Sequence, residues 1–126
     1  MPRSAFLPFD YRSDLVGRID LPVIKGVEFK KTFQYVDQLD EPFSLEGCTI
    51  EAPVYREMDL HSKKIMDFGF LTEAGHQDLS VSFFTLHAPA EQTAAVFEGK
   101  GFYRVVIIDP AGKPHVKQWG AVHFIF

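Results

Sequence analysis

The sequence predicts an all-β domain, an immunoglobulin-like antiparallel β-sandwich of about seven strands with one short helix. Three observations carry that expectation. Short stretches alternate large apolar with polar residues, most plainly Glu28-Phe29-Lys30-Lys31-Thr32-Phe33-Gln34-Tyr35, where Phe29, Phe33 and Tyr35 share one parity. A period of two is the signature of a half-buried strand. Turn residues recur between such stretches at spacings of about 8–12 residues, the rhythm of a sandwich. Finally, the 126 residues include 13 Phe, each able to bury about 150–250 Å². That supply exceeds the needs of one core, so some Phe remain at the surface unless a partner covers them.

Residues 1–20 stand apart. Pro2 and Pro8 oppose regular structure, while Phe6, Leu7, Phe9 and Tyr11 are too apolar for a solvated tail. Two readings stay open: an arm folded over its own domain, or an arm docked on a neighbouring subunit. On the second, Phe6, Leu7, Phe9 and Tyr11 form an assembly interface. The sandwich is expected over residues 21–126.

Within it, residues 21–25 read as a short strand, and Gly26 permits a bend before a strand over 28–36. The connection over 37–47 holds Asp40, Pro42 and Gly47, with Phe43 and Leu45 turned inward. Ile50, Ala52, Val54, Arg56 and Met58 alternate through the next strand; Pro53 lacks an N–H there and marks an edge or a bulge. After a turn over 59–63, Met66, Phe68 and Phe70 alternate with Asp67 and Gly69. Leu79, Val81 and Phe83 then alternate with Ser80 and Ser82.

Residues 89–97 break the rhythm. This Ala-rich stretch, opened by Pro89 and followed by Gly99, carries the start and stop signals of a helix of about two turns. Residues 102–108 are apolar on both parities, as in a central strand covered on both faces. Asp109-Pro110-Ala111-Gly112 is a turn, Pro presetting φ and Gly accepting a positive one. The last strand covers 115–126. The core expected from these patterns holds Phe29, Phe33, Tyr35, Ile50, Val54, Phe68, Leu79, Val81, Val106 and Ile108.

Composition excludes several classes. One domain is the expectation at this length, with a core that needs no metal or disulfide. The net charge is -4 and basic residues come singly or in pairs, so no phosphate-tracking surface for nucleic acid is expected. Cys48 is the sole cysteine and makes no intrachain disulfide. No apolar run approaches the ~18 residues of a membrane span. Arg3, Asp10, Arg12 and Asp14 interrupt the first 20 residues, unlike a signal peptide.

Catalytic and metal chemistry find no foothold. His61, His76, His87, His115 and His123 form no short ligand pair with each other or with Cys48. No serine sits in a G-x-S-x-G elbow, and no Gly-rich phosphate loop is present. The chain therefore reads as a non-enzyme without metal, cofactor or small-molecule substrate. Trp119, Tyr55 and Tyr103 could stack on sugars, but each falls inside an expected strand, where packing is the ordinary role.

A resemblance adds to this reading. Lys25-Gly26, Phe29, Phe33, Tyr35 and Asp37, then Pro42, Leu45 and Gly47, resemble the opening of a family of small bacteriophage tail proteins. That family is related to the N-terminal domain of the phage baseplate upper protein. Leu79 and Val81, the Ala-Glu-Gln-Thr-Ala-Ala segment over 90–95, Gly99, Tyr103, the turn over 109–112 and Gly120 continue it in order. The resemblance covers roughly residues 21–126.

It implies an immunoglobulin-like sandwich that serves as a virion building block around tail, neck or baseplate. Its partners would be other virion proteins and copies of itself, after synthesis in the host cytoplasm. Two departures matter: the loop over 38–42 lacks the glycine often seen there, and the aromatic arm is extra. With no fibre or receptor-binding region after the last strand, the expectation is a stand-alone adaptor or accessory subunit. The alternatives are a carbohydrate- or host-surface-binding module and a capsid decoration (cement) protein.

Overall fold

The computed structural model describes residues 6–8, 17–36, 39, 41, 44–58 and 62–126. Its strands are β1 (Phe6–Pro8), β2 (Gly17–Arg18), β3 (Leu21–Ile24), β4 (Phe29–Val36), β5 (Thr49–Tyr55), β6 (Lys64–Phe70), β7 (Phe83–Ala88), β8 (Lys100–Ile108) and β9 (Pro114–Ile125). A 3₁₀ turn spans Leu79–Val81, and one helix, α1, spans Ala90–Ala94. The all-β class thus stands, with one short helix among the described residues.

Among the described residues the strands form one curled, mixed sheet, ordered β1-β4-β7-β6-β5-β8-β9-β2, with β3 also on β9. Strand β6 turns the corner: Lys64 to Phe68 pair with β5, while Gly69 and Phe70 pair with β7. Interior pairings are antiparallel, but β1–β4, β2–β9 and β3–β9 are parallel. The purely antiparallel expectation is corrected at these edges, where no tight hairpin dictates the opposite direction.

The alternation in β4 does what its period predicts. Phe29, Phe33 and Tyr35 are buried. Phe33 and Tyr35 meet Phe84 with ring centres 5.7 and 5.2 Å apart. Phe68 meets Phe29 at 5.1 Å and Tyr103 at 6.1 Å, tying β4 to β6 and β8. Leu45 is fully buried as expected; Phe43 lies outside the described residues. The hydroxyl of buried Thr93 bonds the Gly26 N–H at 3.0 Å and the Val27 carbonyl at 3.1 Å, which pins α1 to the β3–β4 turn.

Several expectations are corrected. In β8, Tyr103, Val105 and Ile107 fill the core, while Val106 and Ile108 are half-buried. Both parities there are apolar, so periodicity could not choose between them. Ile50 is also half-buried. The strand expected from Leu79 begins only at Phe83, because Asp78 accepts from the Ser80 N–H at 3.1 Å and caps a 3₁₀ turn. That local bond competes with a strand ladder and leaves Leu79 and Val81 half-buried. Finally, β5 lies between β6 and β8 and is no edge strand, so of the two readings of Pro53, edge or bulge, the bulge holds. Its missing N–H falls where the β5–β8 ladder pauses between Glu51 and Val54, and a register shift follows at Val54/Tyr55. Arg56 and Met58 lie past the end of that strand.

A buried polar relay ties the edges together. The ladder on β9 breaks between β2 and β3, and Gly120 permits it: a Cβ there would lie 2.1 Å from the Ile19 carbonyl oxygen. The Ala121 N–H donates instead to the Asp20 carboxylate at 2.9 Å. The Ile19 carbonyl accepts from the Tyr103 hydroxyl at 2.6 Å. Gln118 Nε2 donates to that hydroxyl at 2.7 Å, and Gln118 Oε1 accepts from the Tyr35 hydroxyl at 2.8 Å. Gln118 faces inward because a register shift inserts Lys117 into β9 opposite the Val105–Val106 step. Both tyrosines and Gln118 are fully buried, which is tolerable because each is bonded. Burial pushes both phenols above their ordinary pKa, for Tyr35 with added repulsion from Tyr103.

Candidate functional site

The alternation that sends Tyr103 and Val105 inward places Lys100, Phe102 and Arg104 on the outer face of β8. Across the ladders, Arg104 lies opposite Trp119 and Phe102 opposite Tyr55. Cations cover the aromatic rings of this face. Lys100 Nζ lies 5.2 Å from the Phe102 ring centre, Arg104 Cζ 5.1 Å from Tyr55, and Arg18 Cζ 4.9 Å from Trp119. Each pairing holds a charge against a ring's negative face.

Between Arg104 and Trp119 opens a pocket of about 230 Å³, lined by Met58, Phe102, Tyr103, Arg104, Val116 and Trp119. Arg104 Nη2 donates to the Met58 carbonyl. Its Nη1 is buried and has no hydrogen-bond partner among the described residues. At the pocket's flank, Arg18 Nε lies 3.3 Å from Asp20 Oδ1. The Ala121 N–H and then Arg18 hold the Asp20 carboxyl below its ordinary pKa.

A second exposed surface is apolar. Phe97 is 93 % and Phe126 92 % exposed, with Ile24, Val27 and Ile125 about half exposed. Lys25 joins the two Phe, its Nζ lying 4.0 Å from the Phe126 ring centre and 3.4 Å from the Phe97 carbonyl oxygen. The surplus of Phe read from composition therefore does reach the surface.

The residues singled out in the sequence divide three ways. Tyr55 and Trp119 come together on the cationic face, whereas Tyr103 belongs to the core relay. Phe9 and Tyr11 lie outside the described residues, as do the side chains of Phe6 and Leu7; the backbone of β1 pairs with β4, Phe6 opposite Gln34. The histidines are scattered. His87 Nε2 lies 2.7 Å from Glu28 and His115 Nε2 3.0 Å from Asp109. His61 lies outside the described residues. Among the described residues no three His, Cys, Asp or Glu side chains gather as a metal site. Burial, then Asp109, push the Cys48 thiol above its ordinary pKa, which disfavours a nucleophilic thiolate. No helix among the described residues is long and apolar enough to cross a membrane.

The sequence reading missed Arg104 and Gln118. Arg104 was legible only once the parity of β8 was known. Gln118 was hidden by the inserted Lys117, which shifts the alternation of β9.

The fold defines the class first: an all-β domain built on a curled mixed sheet, with a cationic aromatic face. The chain shares this fold with the N-terminal domain of ORF48 of phage TP901-1, at a TM-score of 0.53 and 12 % identity. The likeness covers 96 % of this chain and 97 % of that one. A chain from a study of multimeric cell-adhesive interactions of VGSC beta subunits is similar at a TM-score of 0.39 and 9 % identity, over 86 % of this chain and 92 % of that one. That likeness is too slight to define a fold. No protein-family model matches the chain, and no curated protein matches its sequence.

Proposed function

We propose that the protein is a structural subunit of a bacteriophage particle, a non-enzymatic building block of the tail, neck or baseplate. The observation that carries this reading is the fold shared almost end to end with a domain of a phage protein. Two features support the finer role of an oligomer-forming adaptor or accessory subunit. One is the exposed apolar surface of Phe97, Phe126, Ile24, Val27 and Ile125, since exposed apolar patches mark interaction sites. The other is the apolar character of Phe6, Leu7, Phe9 and Tyr11. On this reading the partners are other virion proteins and further copies of the chain.

Residues 1–20 act as an assembly arm whose backbone also joins both sheet edges, through β1 on β4 and β2 on β9. Ordering backbone costs about 1–2 kcal/mol per residue, and burying a large apolar side chain returns about 1.5–3 kcal/mol. Docking on a partner therefore orders only the part that buries those side chains. The test deletes residues 1–12 and compares melting with incorporation into particles. Near-unchanged melting with lost incorporation is expected. A large loss of monomer stability shows that the segment serves its own core alone.

A further inference from the structure

We propose that the Arg104 pocket is a socket for an acidic side chain, Asp or Glu, of a neighbouring protein subunit. The virion reading above supplies the setting for the partner, and the pocket supplies its chemistry.

The Met58 carbonyl holds Arg104 through Nη2, and the guanidinium stacks on Tyr55. These contacts hold the guanidinium in the free protein, and a partner's carboxylate must turn it to reach Nη1. Nη1 is buried without an acceptor among the described residues, and such a donor favours any arrangement that brings an oxygen to it. A carboxylate is the oxygen that a guanidinium takes best, because the bond is charge-assisted and matches the planar fork. Because Nη1 is shut off from solvent, docking turns the guanidinium toward the pocket mouth.

Charge agrees with this assignment. Lys100, Arg104 and Arg18 share one face of a chain whose net charge is -4. Asp20 engages Arg18, and Glu51 lies further along the same face opposite Val106. The region around Arg104 and Lys100 is thus a cationic patch on an acidic protein, which steers acidic partners toward it.

The rest of the lining decides between a side chain and a sugar. Met58, Phe102, Val116 and Trp119 offer apolar walls that suit the methylene stem of Glu or Asp. Sugar hydroxyls need acceptors as well as donors, and a buried hydroxyl left unmatched is penalised. Among the described lining residues the one side-chain oxygen acceptor is the Tyr103 hydroxyl, already bonded to Gln118 and Ile19. A volume of about 230 Å³ holds one side chain. An arginine ringed by aromatic residues is also the composition of interface hot spots.

The test places the photo-crosslinker p-benzoylphenylalanine at Val116, which is 39 % exposed, and irradiates assembled particles. The expected product joins it to a neighbouring subunit's peptide with Asp or Glu within a few residues. In parallel, Arg104→Met should melt near wild type and associate about 30-fold more weakly, the effect of losing a hot-spot residue. Arg104→Lys should recover part of that loss. Crosslinks confined to peptides without acidic residues overturn the proposal, as does a normally folded Arg104→Met incorporated at the wild-type level.

Absence of the wild-type chain from purified particles overturns the virion reading instead. The socket is then judged on the full chain by arginine side-chain NMR. Sodium glutarate should give a saturable shift at Arg104 that neutral glutaramide and glucose do not. No response to glutarate, or a saturable response to glucose, overturns the socket.

Discussion

Replacing Gln118 with Met keeps the length of the side chain and removes both of its bonds in the core relay. The Tyr35 hydroxyl loses an acceptor at 2.8 Å, and the Tyr103 hydroxyl loses a donor at 2.7 Å while keeping its bond to Ile19. A buried hydroxyl deprived of its acceptor costs about 1–3 kcal/mol, and the second lost bond adds about 0.5–1.5 kcal/mol. Gln118→Met should therefore cost about 2–4 kcal/mol, a melting shift of roughly 6–20 °C for a domain of this size. Tyr35→Phe alone deprives Gln118 Oε1 of its donor, at about 1–2 kcal/mol. The double variant removes both partners of that bond, so its cost should fall short of the sum by about 1–2 kcal/mol. Urea unfolding of the four proteins, followed by circular dichroism, measures the cycle, with unchanged m-values showing that only stability moved. Gln118→Met within about 0.5 kcal/mol of wild type, or strict additivity, would refute the relay as a stabilising element.

The other predictions concern the edge, acid stability and the exposed surface. Gly120→Ala drives a Cβ to 2.1 Å from the Ile19 oxygen and should cost about 3 kcal/mol, the upper end of ordinary overpacking; melting at the wild-type temperature would show that the edge gives way freely. Asp20, Glu28 and Asp109 are each held below their ordinary carboxyl pKa, first by the Ala121 N–H, His87 and His115 respectively. A carboxyl lowered on folding stabilises the protein above its unfolded pKa and loses that contribution as pH falls through the lower folded value. Stability should thus decline below the ordinary values of 3.8 for Asp and 4.5 for Glu, and Asp20→Asn should flatten part of that limb. An acid limb identical in Asp20→Asn and wild type would contradict the assignment. Phe97→Ser and Phe126→Ser should leave unfolding stability within about 0.5 kcal/mol yet weaken self-association or incorporation in sedimentation and particle assays; a drop of many degrees in melting would place those rings in the fold's own core.

Local chemistry alone made several elements legible. Alternation in β4 located Phe29, Phe33 and Tyr35 in the core because a strand's period is two whatever it packs against. Pro89 and Gly99 bracketed α1, and Asp109-Pro110-Ala111-Gly112 formed its turn with Gly112 at φ 87°. These signals depend on neighbours within a few residues, so sequence carries them unaided. The inward parity of β8, the parallel edges, the relay through Gln118 and the Arg104 pocket depend on partners far along the chain. Tyr35 and Gln118 are 83 residues apart, and Arg104 and Met58 are 46 apart. Strand pairing and a one-residue insertion at Lys117 bring them together. A register set by distant partners leaves no periodic trace in either strand, so only the tertiary structure could decide which residues meet.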